Sequence, residues 1–190
     1  MWGAIFSVGM MAGMIRPADA KEGAMSTLTF MGKTYDLASH NETNNHPMWE
    51  FTTGSEPIDR WTTLFTLIDR PEAHTREDLD RLSQGVMEFY KTQGGQVLLA
   101  KTLQNSSGVP FNYMVAAFEQ PNLHMFEVNF VKMVLGPKNA YTAIYGVRVT
   151  DPNDYAAKTK RFLDVHSTEI GHALGEAALP DLSTLPRHEF

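Results

Sequence analysis

The chain has 190 residues, of which 16 are Lys or Arg and 22 are Asp or Glu, so its formal net charge at pH 7 is −6, and it has no cysteine. With 43% apolar residues, the composition is that of a globular protein, and the length suits one domain. The acidic balance argues against a general nucleic-acid-binding protein and against a polybasic lipid-binding patch, while the lack of cysteine excludes disulfides, thiolate metal ligands and cysteine nucleophiles.

The first twenty residues have the pattern of a secretory signal peptide. Residues 2–15 carry no charge, and residues 18–20 (Ala-Asp-Ala) match the small-residue cleavage site. The uncharged run is shorter than the ~20 residues that a membrane-spanning helix needs, although no basic residue precedes it. We expect residues 1–20 to be removed and residues 21–190 to form one globular domain in the periplasm or outside the cell. If the segment is instead a buried N-terminal helix, we expect a cytoplasmic protein.

Short alternating segments in the N-terminal half predict strands. Residues 28–30 and 35–37 flank a turn-like sequence, which is typical of a β-hairpin. The polar residues 38–47 predict a loop, and residues 48–51 a short strand. Apolar side chains fall on both alternating faces of residues 61–69, which indicates a central strand that is covered on both sides.

A well-marked helix is predicted to follow. Thr75 can cap its N-terminus, and Asp78 lies three residues later near the positive end of the helix dipole. Gly94 and Gly95 end the segment, because glycine tolerates the left-handed backbone conformation that follows many helices. The apolar positions at helical spacing are Leu79, Leu82, Val86, Phe89 and Tyr90.

The C-terminal half predicts a strand meander and a second helix. The four strands are expected at about residues 96–102, 111–119, 123–134 and 140–150. Their links are short and rich in Asn, Gly and Pro, and such links join antiparallel neighbours. The second helix is predicted to start at Asp151-Pro152, with Asp151 as its N-cap. Prolines near the C-terminus predict a loose tail over residues 181–190.

This element order predicts an α+β fold, with an antiparallel sheet of about six strands, an N-terminal hairpin and two main helices. Over about residues 27–178 the order resembles the PsbP-like α/β/α sandwich. The resemblance concerns the order of elements, so no functional residue is transferred from it. Families with that architecture include extracytoplasmic accessory and binding proteins as well as intracellular partners of other proteins, so the resemblance implies a role of one of these kinds.

One segment resembles the zinc-binding sequence H-E-x-x-H-x-x-G-x-x-H of metzincin proteases. Glu169, His172 and Gly175 match that pattern, but Thr168 and Ala178 stand where two of the three histidine ligands would be. We therefore predict that no zinc binds there. His40, Glu42 and His46 share a polar segment, yet their spacing matches no known ligand pattern, so no metal site is predicted there either.

The first functional hypothesis is an exported, non-enzymatic protein that binds a protein partner, as a periplasmic accessory factor or as an immunity protein for a secreted toxin. An acidic chain suits a basic partner through electrostatic steering. The candidate binding residues are Trp49, His46 and Glu56, because binding residues concentrate on loops and Trp often dominates an interface. Trp49 has the core as its alternative location, and Trp61 is predicted to be a core residue.

Two alternatives stay open. One is a hydrolytic enzyme whose site is assembled from scattered residues, such as His166, Glu169 or the segment from His40 to His46. The other is a small-molecule carrier with an apolar pocket between the sheet and a helix, for which the 11 Met and 11 Phe are a hint, although such residues also fill cores. No catalytic residue and no cofactor is predicted, and the mature chain is not expected to enter a membrane or to bind nucleic acid.

Overall fold

The computed structural model of the protein describes residues 27–43, 46–54 and 56–186, so the predicted signal peptide lies outside the described residues. The described part contains two α-helices, α1 (Arg76–Thr92) and α2 (Tyr155–Glu176), and two short 3₁₀ helices, Pro121–Leu123 and Leu182–Thr184. Its strands are β1 (Thr27–Phe30), β2 (Lys33–Thr43), β3 (His46–Thr53), β4 (Thr63–Arg70), β5 (Gln96–Gln104), β6 (Pro110–Gln120), β7 (Met125–Leu135) and β8 (Ala140–Thr150). The predicted α+β class, with an antiparallel sheet and two helices, is confirmed.

The strands form one antiparallel sheet in the order β1-β2-β3-β4-β8-β7-β6-β5. The chain builds the first half as consecutive hairpins, crosses to the opposite edge through α1, and returns strand by strand until β8 pairs with β4. Phe65 lies opposite Tyr145 in that central pairing. The prediction of about six strands is wrong, because the N-terminal hairpin belongs to the same sheet and brings the number of strands among the described residues to eight.

The predicted polar loop over residues 38–47 is also wrong, since most of this stretch is extended. β2 continues to Thr43, and β3 begins at His46. β1 is only four residues long, so within the described residues the second half of β2 has no neighbour on its outer side and forms a sheet edge. Asn41 and Glu42 are exposed there, which explains why a strand can carry a loop-like sequence.

Both faces of the sheet are buried, and one helix packs on each, so the fold has three layers. Successive residues of a strand point to opposite faces, and here both sets are apolar in the central strands. The face under α2 buries Tyr35, Trp49, Phe51, Leu67, Val128 and Phe130. The face under α1 buries Ile68, Met114, Val131, Met133, Ala140 and Ile144, together with Leu79, Leu82 and Tyr90 of the helix.

Helix α1 begins and ends as the sequence predicts. Thr75 Oγ1 accepts a hydrogen bond from the Asp78 amide at 3.1 Å, and the Asp78 carboxylate accepts one from the Thr75 amide at 3.0 Å, which is a reciprocal capping box. Hydrogen bonds from the His74 amide and from Thr75 hold the pKa of Asp78 at about 2. After the helix, Gly94 adopts a φ of 81°, the left-handed conformation that glycine tolerates.

Helix α2 begins later than predicted. Asp151 accepts hydrogen bonds from the amides of Asn153 at 2.8 Å and Asp154 at 3.0 Å, so it closes a turn that precedes the helix. Asp154 is the N-cap, and its side chain accepts from the Ala157 amide at 3.1 Å. A side-chain-to-backbone turn of this kind competes with capping in Asp-rich sequences. Within the described residues, no helix is both long enough and apolar enough to cross a membrane.

Two glycines of α2 allow the helix to approach the sheet closely. A Cβ on Gly171 would lie 2.8 Å from the Tyr113 hydroxyl oxygen, and a Cβ on Gly175 would lie 2.9 Å from Cζ of Phe111. Contacts this short require a residue without a side chain, because the neighbouring atoms are aromatic rings held in the sheet. The glycines in the metzincin-like segment therefore have a packing reason.

The C-terminal end of α2 is fixed by a buried lysine. Lys132 Nζ, from β7, donates hydrogen bonds to the carbonyl oxygens of Gly175 at 2.8 Å and Ala177 at 3.0 Å. These are carbonyl groups that the end of a helix leaves without partners, and a cation is favourable at the negative end of the helix dipole. Burial lowers the pKa of Lys132, and Glu176 opposes that effect.

The chain after α2 packs against the core, which differs from the predicted loose tail over residues 181–190. Leu182 and Leu185 are buried among the side chains of the α2 face. Trp49 Nε1 donates a hydrogen bond to the Pro186 carbonyl oxygen at 2.6 Å. Residues 181–186 are thus part of the packed domain, and the last four residues of the chain lie outside the described ones.

We expect Leu182→Ala to reduce the free energy of unfolding by about 2–5 kcal/mol, because it opens a cavity where a leucine with 3% exposure stood. Urea denaturation measures this loss. The matched control is Leu123→Ala, since Leu123 is 62% exposed and its truncation should change stability by less than about 0.5 kcal/mol. Equal effects of the two variants would show that the tail does not belong to the core.

Candidate ligand-binding cavity

The three residues predicted to bind a partner do not form one surface. Trp49 is completely buried in the α2 face, which fits its alternative location in the core and not a surface anchor. His46 lies on the opposite face of β3, and its Nε2 is 2.8 Å from Glu72 Oε2. Glu56 accepts hydrogen bonds from the Thr62 amide at 2.8 Å and hydroxyl at 2.7 Å, so it holds the turn that leads into β4.

The residues considered for metal or hydrolytic chemistry are also separated. The His40 ring packs on Trp49 with 5.2 Å between ring centroids, whereas His166, Glu169 and His172 lie on exposed positions of α2. Among the residues that the structure describes, no group of three or more His, Asp or Glu is placed to hold a metal ion.

The strongest candidate site is a cavity between α1 and the sheet. α1 packs over β5, β6 and β7, where Asn112 Nδ2 donates to Asp80 Oδ1 at 2.9 Å and Arg76 Nη2 donates to the same oxygen at 2.7 Å. These contacts hold the helix to one side of the face. Beside it, above β4 and β8, lies a cavity of about 230 Å³. Its apolar walls are Ile68, Leu82, Val86, Phe89 and Ile144.

Two buried side chains that line this apolar cavity each carry a polar atom without a hydrogen-bond partner. Arg70 is 3% exposed; its Nε donates to Thr142 Oγ1 at 3.1 Å, but its Nη1 has no hydrogen-bond partner. Tyr90 is 1% exposed, and its hydroxyl also has no partner. Buried polar groups are nearly always hydrogen-bonded, so two such groups at one cavity are a notable exception.

The electrostatics of the cavity favour an anion. Burial lowers the pKa of Arg70, and the neighbouring Glu72 and Tyr90 oppose only part of that effect. Burial also raises the pKa of the Tyr90 hydroxyl, which therefore stays protonated and able to donate. Among the described residues no carboxylate forms an ion pair with Arg70, and an uncompensated charge in such a place is costly.

The mouth of the cavity is ringed by charged residues and one glycine. Glu72 pairs with His46, and Arg81 forms an ion pair with Asp78. Gly85 lies at the rim on the face of α1 that borders the cavity, and a Cβ built on it would meet no atom within 4 Å. The side chains at the rim are thus engaged with one another, and Gly85 leaves open space at the entrance.

A second polar region closes the rest of the α1 face. Trp61 lies over Gly146, where a Cβ would come within 3.2 Å of its Cη2 atom, and the Arg148 guanidinium carbon lies 3.9 Å from the Trp61 ring centroid. Trp61 is buried, as predicted. Arg148 Nε is 3.8 Å from Glu127 Oε2. Burial raises the pKa of Glu127 and of Glu50 on the same face. A negative charge is therefore unfavourable in this region.

Comparison with the sequence models of known protein families and with curated protein sequences finds no match for this chain. The fold and the cavity therefore define its class: a three-layer α+β protein with a partly enclosed, mostly apolar cavity beneath one helix. The PsbP-like resemblance, which concerns the order of elements, stays a prediction.

Neither Arg70 nor Tyr90 is among the site residues that the sequence predicts, although a signal for Arg70 is present. Leu64, Thr66, Ile68 and Arg70 alternate along β4 on the face toward α1, so the arginine continues a row of inward-pointing residues. Tyr90 gives no such signal, because an aromatic residue on the apolar stripe of a helix is an ordinary core residue.

We expect Glu50→Gln to stabilise the protein at about pH 8 and to have little effect near pH 4. Burial raises the pKa of Glu50 above its ordinary value of 4.5, and Glu127 adds to the shift. The folded state thus prefers the protonated carboxyl, and that preference stabilises it fully below pH 4.5 and is lost as the pH rises through the folded-state pKa. Urea denaturation across this range tests the expectation, with the exposed Glu169→Gln as the control. A Glu50→Gln gain that does not vary with pH would contradict it.

Proposed function

We propose that the protein is a non-enzymatic binding protein for a small amphipathic molecule, which it holds in the cavity between α1 and the sheet. The observation that carries this proposal is the combination of apolar walls with the buried Arg70, whose Nη1 lacks a partner. Ligand sites are typically apolar clefts with a few placed polar groups. At about 30 Å³ per water molecule, 230 Å³ has room for about eight groups of that size, so the ligand is small.

The side chains around the cavity favour binding over catalysis. A nucleophile or general base needs an activating partner within hydrogen-bond reach. Thr142 Oγ1 accepts from Arg70, and an arginine cannot serve as a base at ordinary pH. The carboxylates at the rim, Glu72 and Asp78, are engaged by His46 and by the α1 cap. The signal-like residues 1–20 support export, so we propose binding in the periplasm or outside the cell.

Gly85→Leu is expected to weaken binding of small amphiphiles at least tenfold while the folded protein gains stability. The leucine side chain would occupy the open rim, and replacing a helix glycine adds about 0.5–1 kcal/mol to stability. Gly85→Ala is the matched control, because it brings the helix gain without reaching the entrance. Ligand-observed NMR with hexanol and hexanoate measures binding, and urea denaturation measures stability. Undiminished binding by Gly85→Leu would place the ligand elsewhere.

A second candidate function, binding of a protein partner, is favoured by strand β5. Among the strands that the structure describes, β5 forms one edge of the sheet, and Lys101 is its single charged residue. Leu98 and Leu99 are 46% and 41% exposed. Natural edge strands are usually protected by charges, prolines or short length, so this one is suited to pairing with an extended segment of another protein.

If β5 binds a partner, Leu99→Lys should abolish retention of that partner in a pull-down from the native host. Val165→Lys is the control, because Val165 is an exposed apolar residue of α2 that lies outside the sheet edge. A partner retained equally by the wild type and both variants would exclude β5 as its docking site.

A further inference from the structure

We infer that the ligand of the cavity is a small monocarboxylate with an apolar body, bound with its carboxylate on Arg70 and Tyr90. The inference rests on the proposed function, and it adds the chemical class of the ligand. It starts from the charge: the Arg70 side chain is almost fully buried, and among the described residues no carboxylate pairs with it. An anion that enters the cavity would supply the missing counter-charge.

The number and kind of available donors select a carboxylate. Arg70 Nε is engaged by Thr142, which leaves Nη1 as a donor, and the Tyr90 hydroxyl is the second buried donor at the same cavity. A carboxylate has two oxygens in one plane and carries one charge, so a guanidinium N–H and one hydroxyl can satisfy both of its oxygens.

A phosphate group fits this site less well. It would present more oxygens and more charge than Arg70 Nη1 and the Tyr90 hydroxyl can satisfy. The rim would also repel its second negative charge, because Glu72 and Asp78 lie there and the other arginine that lines the cavity, Arg81, is paired with Asp78.

The walls define the rest of the ligand. Ile68 and Ile144 of the sheet face Leu82, Val86 and Phe89 of α1 across the cavity, and these side chains offer no hydrogen bonds. The body of the ligand is therefore hydrocarbon, either a short aliphatic chain or one aromatic ring. Each CH₂ group buried there contributes about 0.8 kcal/mol, so neutral amphiphiles of the same shape should bind too, but more weakly.

The test compares probes of one length and different head groups: hexanoate, hexanol, hexylamine and hexyl phosphate, with affinities measured by NMR titration of the full-length protein. We expect hexanoate to bind at least tenfold more tightly than hexanol, and hexylamine not to bind. Equal affinity for hexanoate and hexanol would overturn the inference and leave the proposed function intact. Tighter binding of hexyl phosphate would overturn the carboxylate assignment. If none of the four binds, the proposed function fails as well.

Two variants test whether the preference for hexanoate over hexanol comes from Arg70 and Tyr90. Arg70→Met keeps an unbranched side chain of similar length, and we expect it to lower the hexanoate-to-hexanol affinity ratio from at least ten to about one. Its stability should equal or exceed that of the wild type, because removal of an unpaired buried charge is not destabilising. Tyr90→Phe should lower the hexanoate-to-hexanol affinity ratio three- to tenfold, and it decides the question if Arg70→Met fails to fold. Retention of the full preference by Tyr90→Phe and by any folded Arg70→Met would overturn the inference.

Discussion

The structure depends on one geometric constraint: both faces of a wide sheet must be covered, and each face has only one helix among the described elements. With strands about 4.8 Å apart, the eight-stranded sheet is about 34 Å wide, whereas a helix with its side chains is about 10 Å wide. On one face the uncovered width is filled by large aromatic residues and by the chain after α2, which brings Leu182 and Leu185 into the core. On the other face, Trp61 covers part of the width, and the cavity beside α1 is what remains. The same shortage of cover thus produces the ordered tail and the candidate site.

Local signals predicted those parts of the fold that local interactions determine. The capping residues Thr75 and Asp78 and the terminating Gly94 are recognisable because each acts on its own helix end. The polar residues 38–47 misled the prediction, since the extended conformation of residues 38–43 and 46–47 is imposed by pairing of β2 with β3. The sequence gives no local signal for burial of residues 181–186 either, because their partner Trp49 lies far away in the chain.

The candidate site could be predicted only in outline. An apolar pocket between the sheet and a helix was one of three hypotheses, and it rested on composition alone. The position of the pocket depends on where α1 packs on the sheet. The packing position of α1 depends in turn on the hydrogen bond from Asn112 of β6 to Asp80 of α1. The meeting of Arg70 with Tyr90 requires the helix to cross over the sheet, so no spacing in the sequence reveals it. The sequence predicts His46 and Glu56 as binding residues of a loop region and Trp49 as an anchor beside it, and the structure gives each of them a partner within the fold.

The central pairing of β4 with β8 has a consequence for how the protein folds. Phe65 and Tyr145 face each other in that pairing, although they are far apart in the chain, and contacts of such long sequence separation slow folding. During synthesis β4 emerges well before its partner β8, so the edge of β4 that pairs with β8 stays unpaired until β8 has been made. Unpaired strand edges are where partly folded chains associate wrongly. For this protein the vulnerable stage is the half-made sheet, before β8 has paired with β4.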